Sequence, residues 1–147
     1  MDTSPADDVL IVRLNRPQPR VAAGIALRGL ASACIDISDG LLADLGHIAS
    51  ASGIGFEIGE ECLPATNALF DRFDAETCRQ FQLSGGDDYE LAFTIAEADV
   101  DKMRDAIAGA QCRVSRIGRV IGEAGVHVLD RNGARRNAIE KGWEHFK

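Results

Sequence analysis

Basic residues are scarce in this chain relative to acidic ones. Its 147 residues include 16 lysines and arginines against 23 aspartates and glutamates, which gives a formal net charge of −7. Nucleic-acid backbones and anionic membranes attract basic surfaces, so we expect this acidic chain to bind neither of them. A small anionic substrate is still compatible with this charge if metal ions screen the acids.

Long apolar segments and closely spaced cysteines are also absent. No apolar run approaches the roughly 20 residues of a membrane-spanning helix, and the first five residues lack the basic and apolar segments of a signal peptide. We therefore predict a cytoplasmic protein. The cysteines include no Cys-x-x-Cys pair, which excludes zinc-site spacing, and three of them lie in apolar or amphipathic segments, so we expect buried free thiols. The four are Cys34, Cys62, Cys78 and Cys112.

Helical and strand patterns follow one another along the chain. With 46% hydrophobic residues, a chain of this length can bury one globular core. Interleaved helices and strands predict an α+β or α/β fold with helices layered on a single mixed β-sheet. The predicted helices cover residues 6–15, 21–32, 40–52, 66–73, 75–81 and 99–110. The predicted strands cover 34–37, 56–58, 89–95, 112–121 and 125–129, and Asn132-Gly133 predicts a hairpin turn.

A first acidic cluster, Asp36-Ile37-Ser38-Asp39-Gly40, lies between a predicted strand and a predicted helix. Two carboxylates and a hydroxyl near the positive end of a helix could hold one or two magnesium ions and a phosphate oxygen. The alternative is that Ser38 or Asp39 caps the helix while Asp36 pairs with a basic neighbour. The spacing leaves both interpretations open.

A second acidic cluster, Gly85-Gly86-Asp87-Asp88-Tyr89-Glu90, leads into a segment in which apolar and polar residues alternate. This alternation predicts Asp88 and Glu90 on one face of a strand, with Asp87 and Tyr89 on the other. The neighbouring acids repel one another unless water or a cation offsets their charge. The cluster is therefore either a cation site or a solvated entrance to the strand.

Histidines and the C-terminal aromatic residues give weaker signals. His47 falls on the polar face of the predicted helix 40–52, where a lone histidine is more often a bystander than a catalyst, and His127 is expected on the surface of a strand. Trp143 and Phe146 could form a packing contact or an aromatic platform for a heterocycle. The sequence has no Gly-x-Ser-x-Gly, Walker or His-Arg-Asp motif. No covalent catalytic residue is predicted.

Taken in order, several of these segments together resemble thiamine-monophosphate kinase, within the superfamily of aminoimidazole ribonucleotide synthetase-related ATP enzymes. The resemblance covers about residues 6–146. The segments that carry it are Arg16-Pro17-Gln18-Pro19-Arg20-Val21, Ile35-Asp36-Ile37-Ser38-Asp39-Gly40-Leu41, Asp44-Leu45-Gly46-His47-Ile48, Leu63-Pro64, Ser84-Gly85-Gly86-Asp87-Asp88-Tyr89-Glu90-Leu91 and Gly142-Trp143-x-x-Phe146. The pair of acidic motifs is specific, whereas either motif alone would indicate only the wider superfamily.

The resemblance implies a domain arrangement, because it matches only the second half of that family. Residues 1–20 would be the end of an interdomain segment and linker, and 21–147 the C-terminal substrate- and ATP-binding domain. The N-terminal ATP-binding domain, through which the family forms a homodimer, would be absent. The family transfers the γ-phosphoryl group of ATP to thiamine monophosphate, giving thiamine diphosphate and ADP.

The resemblance also implies roles for individual residues. Asp36 and Asp39 would be Mg²⁺ ligands, and Ser38 would contact ATP. Asp87, at a position where many relatives carry glutamate, would contact thiamine monophosphate. Phe146 would contact its thiamine moiety, with Trp143 in support.

Simple electrostatics agrees with these roles. Donor and acceptor are both anions, so metal ions must bridge them, and catalysis is positioning and charge neutralisation without a covalent intermediate. Lacking one half, the chain alone is expected to be inactive. The alternatives are another ATP-dependent enzyme of the superfamily, with a different phosphate acceptor, and a non-catalytic module that binds a metal or a partner protein.

Overall fold

The computed structural model describes residues 5–136, so Trp143 and Phe146 lie outside the described residues. The helices of this range are α1 (Pro5–Asn15), α2 (Val21–Ala26), α3 (Leu41–Ser52), α4 (Asn67–Arg72), α5 (Ala75–Ser84) and α6 (Val100–Ile107). Its strands are β1 (Ala33–Asp36), β2 (Gly55–Gly59), β3 (Leu91–Thr94), β4 (Gly118–Ile121) and β5 (Gly125–Leu129). Within the same range, no helix combines the length and apolar character that a membrane crossing needs.

The strands form two sheets. β1 pairs antiparallel with β3, and β2 is the central strand of a second sheet, antiparallel to β4 and parallel to β5. The predicted α+β fold is confirmed, but the prediction of a single mixed sheet is wrong. Alternating polarity identifies a strand and its buried face, and it carries no information on which strand becomes the hydrogen-bonded neighbour.

Helix α3 connects the two sheets through one core. Its apolar positions recur at helical spacing, as predicted, and the face they form is buried. The shared core contains Leu41, Leu45, Ile48 and Ala49 from α3, Phe56 and Ile58 from β2, Ala92 from β3 and Val128 from β5. Each large side chain in it contributes roughly 1.5–3 kcal/mol to stability. The N-terminus of α3, where the first acidic cluster lies, is therefore anchored to a packed core.

Strand β3 is covered on both faces. Ala92 belongs to the core around α3, while Leu91 and Phe93 pack against a second core of Leu27, Met103 and Ile107. The two faces follow from the period-two alternation of a strand. The segment that leads into β3, and carries the second acidic cluster, therefore enters between two packed layers.

Several element boundaries differ from prediction. The helix predicted over 21–32 ends at Ala26, because the carbonyl of Leu27 accepts the N–H groups of both Leu30 and Ala31 in a turn through Gly29, whose φ is +78°. The strand predicted over 112–121 is confined to β4. The predicted turn at Asn132-Gly133 is present, and an antiparallel bridge between Leu129 and Arg135 closes it.

The cysteines are only partly where the sequence places them. All four thiols are free. Cys78 is fully buried, as predicted, and Cys112 is half-buried. Cys34 and Cys62 are exposed, contrary to prediction. Cys34 lies on the outer face of β1, which alternates between half-buried and exposed positions, so an apolar-looking segment does not guarantee burial of each residue.

Candidate functional site

The first acidic cluster forms the loop between β1 and α3. Asp36 is the last residue of β1, and Gly40 is the N-cap of α3 with a φ of +107° and no side-chain cap hydrogen bond. The alternative that Ser38 or Asp39 caps this helix is therefore wrong. A Cβ atom on Gly40 would lie 2.9 Å from the carbonyl oxygen of Ser84, so glycine alone allows this close approach.

A buried carboxylate fixes the backbone of this loop. Asp44 is 2% exposed, and its Oδ2 accepts hydrogen bonds from the amides of Ser38 at 3.0 Å and Asp39 at 3.2 Å. The sequence analysis names Asp44 only as part of a motif and assigns it no role. Its five-residue distance from Asp39 was the available signal, but the bonds depend on a loop conformation that spacing alone does not reveal.

The second acidic cluster lies directly beside the first. The amide of Asp87 donates a hydrogen bond to the carbonyl of Ser38 at 2.9 Å, and the amide of Tyr89 donates one to the carbonyl of Ile37 at 3.0 Å. In the other direction, the amide of Ile37 donates a hydrogen bond to the main-chain carbonyl of Glu90 at 2.8 Å. These bonds continue the pairing of β1 with β3 into both loops. We call the joined segments 36–40 and 85–90 the acidic junction.

Close backbone contact requires the glycine at the start of the second cluster. A Cβ atom on Gly86 would lie 2.5 Å from the carbonyl oxygen of Ser38, a distance that nonbonded carbon atoms do not tolerate. Residues of both loops are therefore held at separations that a side chain would prevent. The junction is a packed feature of the fold and not a chance proximity of two surface loops.

The alternation predicted for the second cluster is wrong before residue 91. Residues 85–90 are not part of β3, and both Asp87 and Tyr89 adopt left-handed backbone conformations, with φ of 61° and 53°. Such conformations cost non-glycine residues of order 1–3 kcal/mol and persist where surrounding contacts enforce them. Here the enforcing contacts are the amide hydrogen bonds to the first loop. Period-two reasoning therefore does not assign faces to Asp88 and Glu90.

Glu90 ties the junction to the N-terminal segment. Arg20 donates two hydrogen bonds to its carboxylate at 2.9 and 2.7 Å, and Arg13 of α1 donates a third at 2.7 Å. Partial burial opposes ionisation of Glu90, but the two guanidinium groups outweigh it, so the pKa of Glu90 lies below its ordinary value. The salt bridges hold the 85–90 loop against α1 and the proline-containing linker.

The pKa of Asp88 is shifted in the opposite direction, above its ordinary value. Desolvation of its carboxylate raises the pKa of Asp88; the positive charge of Arg13 opposes this rise, and the negative charges of Glu90 and Asp87 add to it. Repulsion from the neighbouring acids, expected from the sequence, thus adds to the effect of desolvation on the pKa of Asp88. A cation at this edge would relieve it.

Every sequence-predicted site residue in the described range lies at the junction. Asp36 and Asp87 are exposed, while Ser38 and Asp39 are half-buried. Within residues 5–136, one group of side chains is close enough to share a metal ion: ligand atoms of Asp39, Asp44 and His47 all lie within 4.8 Å of one another. The structure thus places Asp39 beside Asp44 and the exposed His47, two residues that the sequence did not assign to a metal site.

The donor chemistry of the junction suits magnesium. Carboxylate and hydroxyl oxygens are the ligands that this hard cation selects, and the residues offered are Asp36, Ser38 and Asp39. Asp36 and Asp87 have no ion-pair partner among the described residues, so their charges are not neutralised by an arginine or lysine of this range. The residues present therefore fit a divalent cation.

A small cleft borders the junction. It has a volume of about 200 Å³ and is lined by linker and α2 residues together with Asp36, Tyr89 and Leu91. Ligand pockets for molecules of drug size have volumes of roughly 300–1,000 Å³. The cleft is therefore too small to enclose a nucleotide.

Comparison with known proteins identifies the family of this chain. Residues 4–131 match the family model described as AIR synthase related protein, C-terminal domain. The thiamine-monophosphate kinase of Escherichia coli strain K12 is 39% identical over 139 residues, which are 95% of this chain and 43% of that protein. The chain thus spans less than half the length of this curated relative.

Solved structures also resemble this chain. A crystal structure of thiamine-monophosphate kinase from Stenotrophomonas maltophilia K279a superposes with a TM-score of 0.82 at 41% identity, covering 87% of this chain and 41% of that one. A structure described as AaThiL complexed with AMPPCP and TMP has a TM-score of 0.81 at 33% identity, covering 99% of this chain and 43% of that one. With the family model matched over residues 4–131, the chain belongs to the family of AIR synthase related proteins, C-terminal domain.

Proposed function

We propose that this chain is the C-terminal half of a thiamine-monophosphate kinase, which transfers the γ-phosphoryl group of ATP to thiamine monophosphate. The products would be thiamine diphosphate and ADP. The observation that carries the proposal is the acidic junction, in which main-chain hydrogen bonds join the Asp36–Gly40 and Gly85–Glu90 loops. The choice of acceptor is supported by the name of the relative that is 39% identical to this chain.

Within the junction, we assign Asp36 and Asp39 to Mg²⁺, Ser38 to ATP and Asp87 to thiamine monophosphate. When bound, magnesium would neutralise phosphate charge between the two anionic substrates. The chain itself would orient these groups: α3 anchors one loop to the core, and Glu90 holds the other through Arg13 and Arg20. No side chain of this chain is assigned a covalent step, because fixed positions and charge neutralisation suffice for phosphoryl transfer.

The domain arrangement follows the same proposal. Residues 1–20 would be the end of an interdomain segment, and 21–147 the C-terminal domain. The described part of that segment includes α1, which contacts α4 and pairs with the junction through Arg13. A second half, supplying most of the ATP site and a homodimer contact, would complete a cytoplasmic enzyme. The chain's span of 43% of the length of the Escherichia coli relative supports this arrangement.

A chimeric enzyme tests the proposal directly. This chain would replace the matching region of the Escherichia coli relative, and formation of ADP and thiamine diphosphate would be measured with ATP, Mg²⁺ and thiamine monophosphate. We expect the chimera to turn over and the 147-residue chain alone to give no thiamine diphosphate.

Other outcomes would contradict the proposal. If a folded chimera binds an ATP analogue and consumes ATP only with a different phosphate acceptor, the chain belongs to another enzyme of the superfamily. If such a chimera consumes no ATP with any acceptor, the chain is a binding module. Turnover by the isolated chain near that of the chimera would contradict the need for a second half.

Phe146, outside the described residues, is assigned to the thiamine ring system with Trp143 in support. In the chimera, Phe146→Ala should raise the KM for thiamine monophosphate far more than the KM for ATP. A cationic heterocycle gains roughly 0.5–2 kcal/mol from an aromatic face, whereas ATP is expected mainly on the other domain. Equal effects on both Michaelis constants, with a lower melting temperature, would instead identify Phe146 as a packing residue.

A further inference from the structure

Asp44 is a buried carboxylate beside the acidic junction for which the proposed roles provide no task. It lies in the first turn of α3 and is 2% exposed. A carboxylate that deep in the protein must be satisfied by hydrogen bonds or by charge. Its Oδ2 accepts the amide hydrogens of Ser38 and Asp39 at 3.0 and 3.2 Å. These are the two residues assigned to ATP and to the metal.

The peptide of Ser38 is thereby held from both sides. Its N–H group donates to Asp44, and its carbonyl accepts the amide of Asp87 at 2.9 Å. Asp44 itself is fixed because α3 packs its apolar face into the core shared by both sheets. A continuous set of contacts thus runs from the core, through one buried oxygen, to the loop that carries the candidate ligands.

We propose that Asp44 is a positioning residue, which holds the Ser38–Asp39 backbone so that the Ser38 hydroxyl and the Asp39 carboxylate keep one orientation. This inference rests on the proposed function for its kinetic consequence, but not for its structural one. The alternative is that Asp44 binds a metal directly with Asp39 and His47, whose ligand atoms lie within 4.8 Å. Positioning is favoured, because one Asp44 oxygen already accepts two amides and the side chain has little access to solvent.

Three substitutions separate these roles. In Asp44→Asn, the amide oxygen can still accept both hydrogen bonds although the charge is lost, whereas Asp44→Ala removes the acceptor. His47→Gln removes the third member of the possible metal group and leaves the hydrogen bonds intact. The first measurement is amide hydrogen exchange by NMR in the 147-residue chain. The second is turnover of each variant in the chimeric enzyme as the Mg²⁺ concentration is varied.

The exchange measurement reports on the loop without any assumption about activity. Asp44→Ala should accelerate exchange of the Ser38 and Asp39 amides by about tenfold or more, while amides of β2 and β5 keep their protection. Asp44→Asn should leave all of these rates within about threefold of the unmodified chain. If Asp44→Ala leaves the two amides protected, or exposes the whole chain equally, the positioning role is wrong.

The kinetic measurement reports on the site. Asp44→Ala should lower kcat and raise the Mg²⁺ concentration for half-maximal activity by roughly 10–100-fold, as is typical when a residue that orients a metal ligand is lost. The KM for thiamine monophosphate should change little, and Asp44→Asn should retain most of the activity. Equal losses in Asp44→Asn and Asp44→Ala, or an equal rise in Mg²⁺ requirement for His47→Gln, would identify a metal ligand and overturn the proposal. A folded but inactive unmodified chimera would reject the proposed function, and the exchange measurement would still decide the role of Asp44.

Discussion

The carboxylates in two regions of this molecule differ in their ion-pair partners. Around the three-stranded sheet they form an arginine-paired cluster, in which Glu60 meets Arg79 at 3.1 Å and Arg136 at 2.6 Å, and Glu123 meets Arg135 at 2.6 Å. At the acidic junction, Asp36 and Asp87 have no such partner among residues 5–136. Both regions are rich in acids, and they differ in that Asp36 and Asp87 lack, among the described residues, the arginine partners that Glu60 and Glu123 have.

The acids in the junction and beside it are of two kinds. Glu90 binds Arg13 and Arg20, and Asp44 accepts two backbone amides, so both are satisfied within the fold. Those two fix the loops, whereas Asp36 and Asp87 remain exposed beside them. The two kinds of acid therefore have different roles. Acids with hydrogen-bond partners inside the protein position the backbone, and exposed acids are available to a cation. Loss of an acid should therefore affect stability in one region and chemistry in the other.

The largest effect is expected at the proposed metal ligands. In the chimera, Asp36→Asn or Asp39→Asn should lower turnover by about a thousandfold, or about 4 kcal/mol, because phosphate charge is no longer neutralised. The melting temperature should hardly change. Glu123→Gln, in the arginine-paired cluster, is the matched control and should leave turnover unaltered. Near-normal activity of both aspartate variants at limiting Mg²⁺ would place the site elsewhere.

The next effect concerns stability alone. Glu60 is 6% exposed, so Glu60→Ala removes the buried carboxylate between Arg79 and Arg136 and leaves each arginine, among the described residues, with only one, more exposed, acidic partner. Urea unfolding should show a loss of about 3 kcal/mol, with unchanged turnover per folded molecule of the chimera. Glu97→Ala removes an exposed salt bridge with Arg116 and should lower the free energy of unfolding by less than about 1 kcal/mol. A loss of activity without a loss of stability in Glu60→Ala would break the distinction between the regions.

A smaller effect is expected where the two loops touch. Gly86→Ala would force a methyl group to within 2.5 Å of the Ser38 carbonyl oxygen. Separating the loops should cost roughly 1–3 kcal/mol of stability and lower turnover of the chimera. Gly46→Ala, in α3 with nothing within 4 Å of the added carbon, is the control and should be neutral or slightly stabilising. If both alanine variants behave alike, close packing of the junction is not required.

The smallest effect depends on pH. The pKa of Glu90 lies below its ordinary value of 4.5, so the folded protein binds this proton less readily than the unfolded chain. Glu90 therefore stabilises the fold above that value, and the contribution is lost as the pH falls through its folded pKa. Glu90→Gln should cost about 1 kcal/mol or less at neutral pH, since the salt bridges are partly exposed. The difference in melting temperature should vanish in acid; a difference that grows in acid would contradict the sign.

Much of the fold follows from local patterns in the sequence. The apolar spacing of α3 and the alternation within β3 correctly predict a helix and a strand, because each depends on neighbours a few residues away. The number of sheets does not follow, since pairing of β1 with β3 joins residues far apart in the chain. Neither does the end of α2, which is set by a turn through Gly29.

The site shows the same limit. The acidic motifs are visible in the sequence, but their contact depends on hydrogen bonds between residues about fifty positions apart. The left-handed conformations of Asp87 and Tyr89 are enforced by that contact, so local alternation predicts the wrong faces. The role of Asp44 could not be predicted for a related reason, because its hydrogen-bond partners are backbone amides and no pattern of side chains reveals them.

The central claim is that the two acidic loops form one site, and a double-mutant cycle tests it most directly. Turnover of the chimera would be compared for Asp39→Asn, Asp87→Asn and the double variant, with thermal stability measured in parallel. If both residues act on the same phosphoryl transfer, the double variant should lose less than the product of the single losses, with a coupling of roughly 0.5–3 kcal/mol. Losses that multiply to within about twofold would show two independent loops and contradict the account.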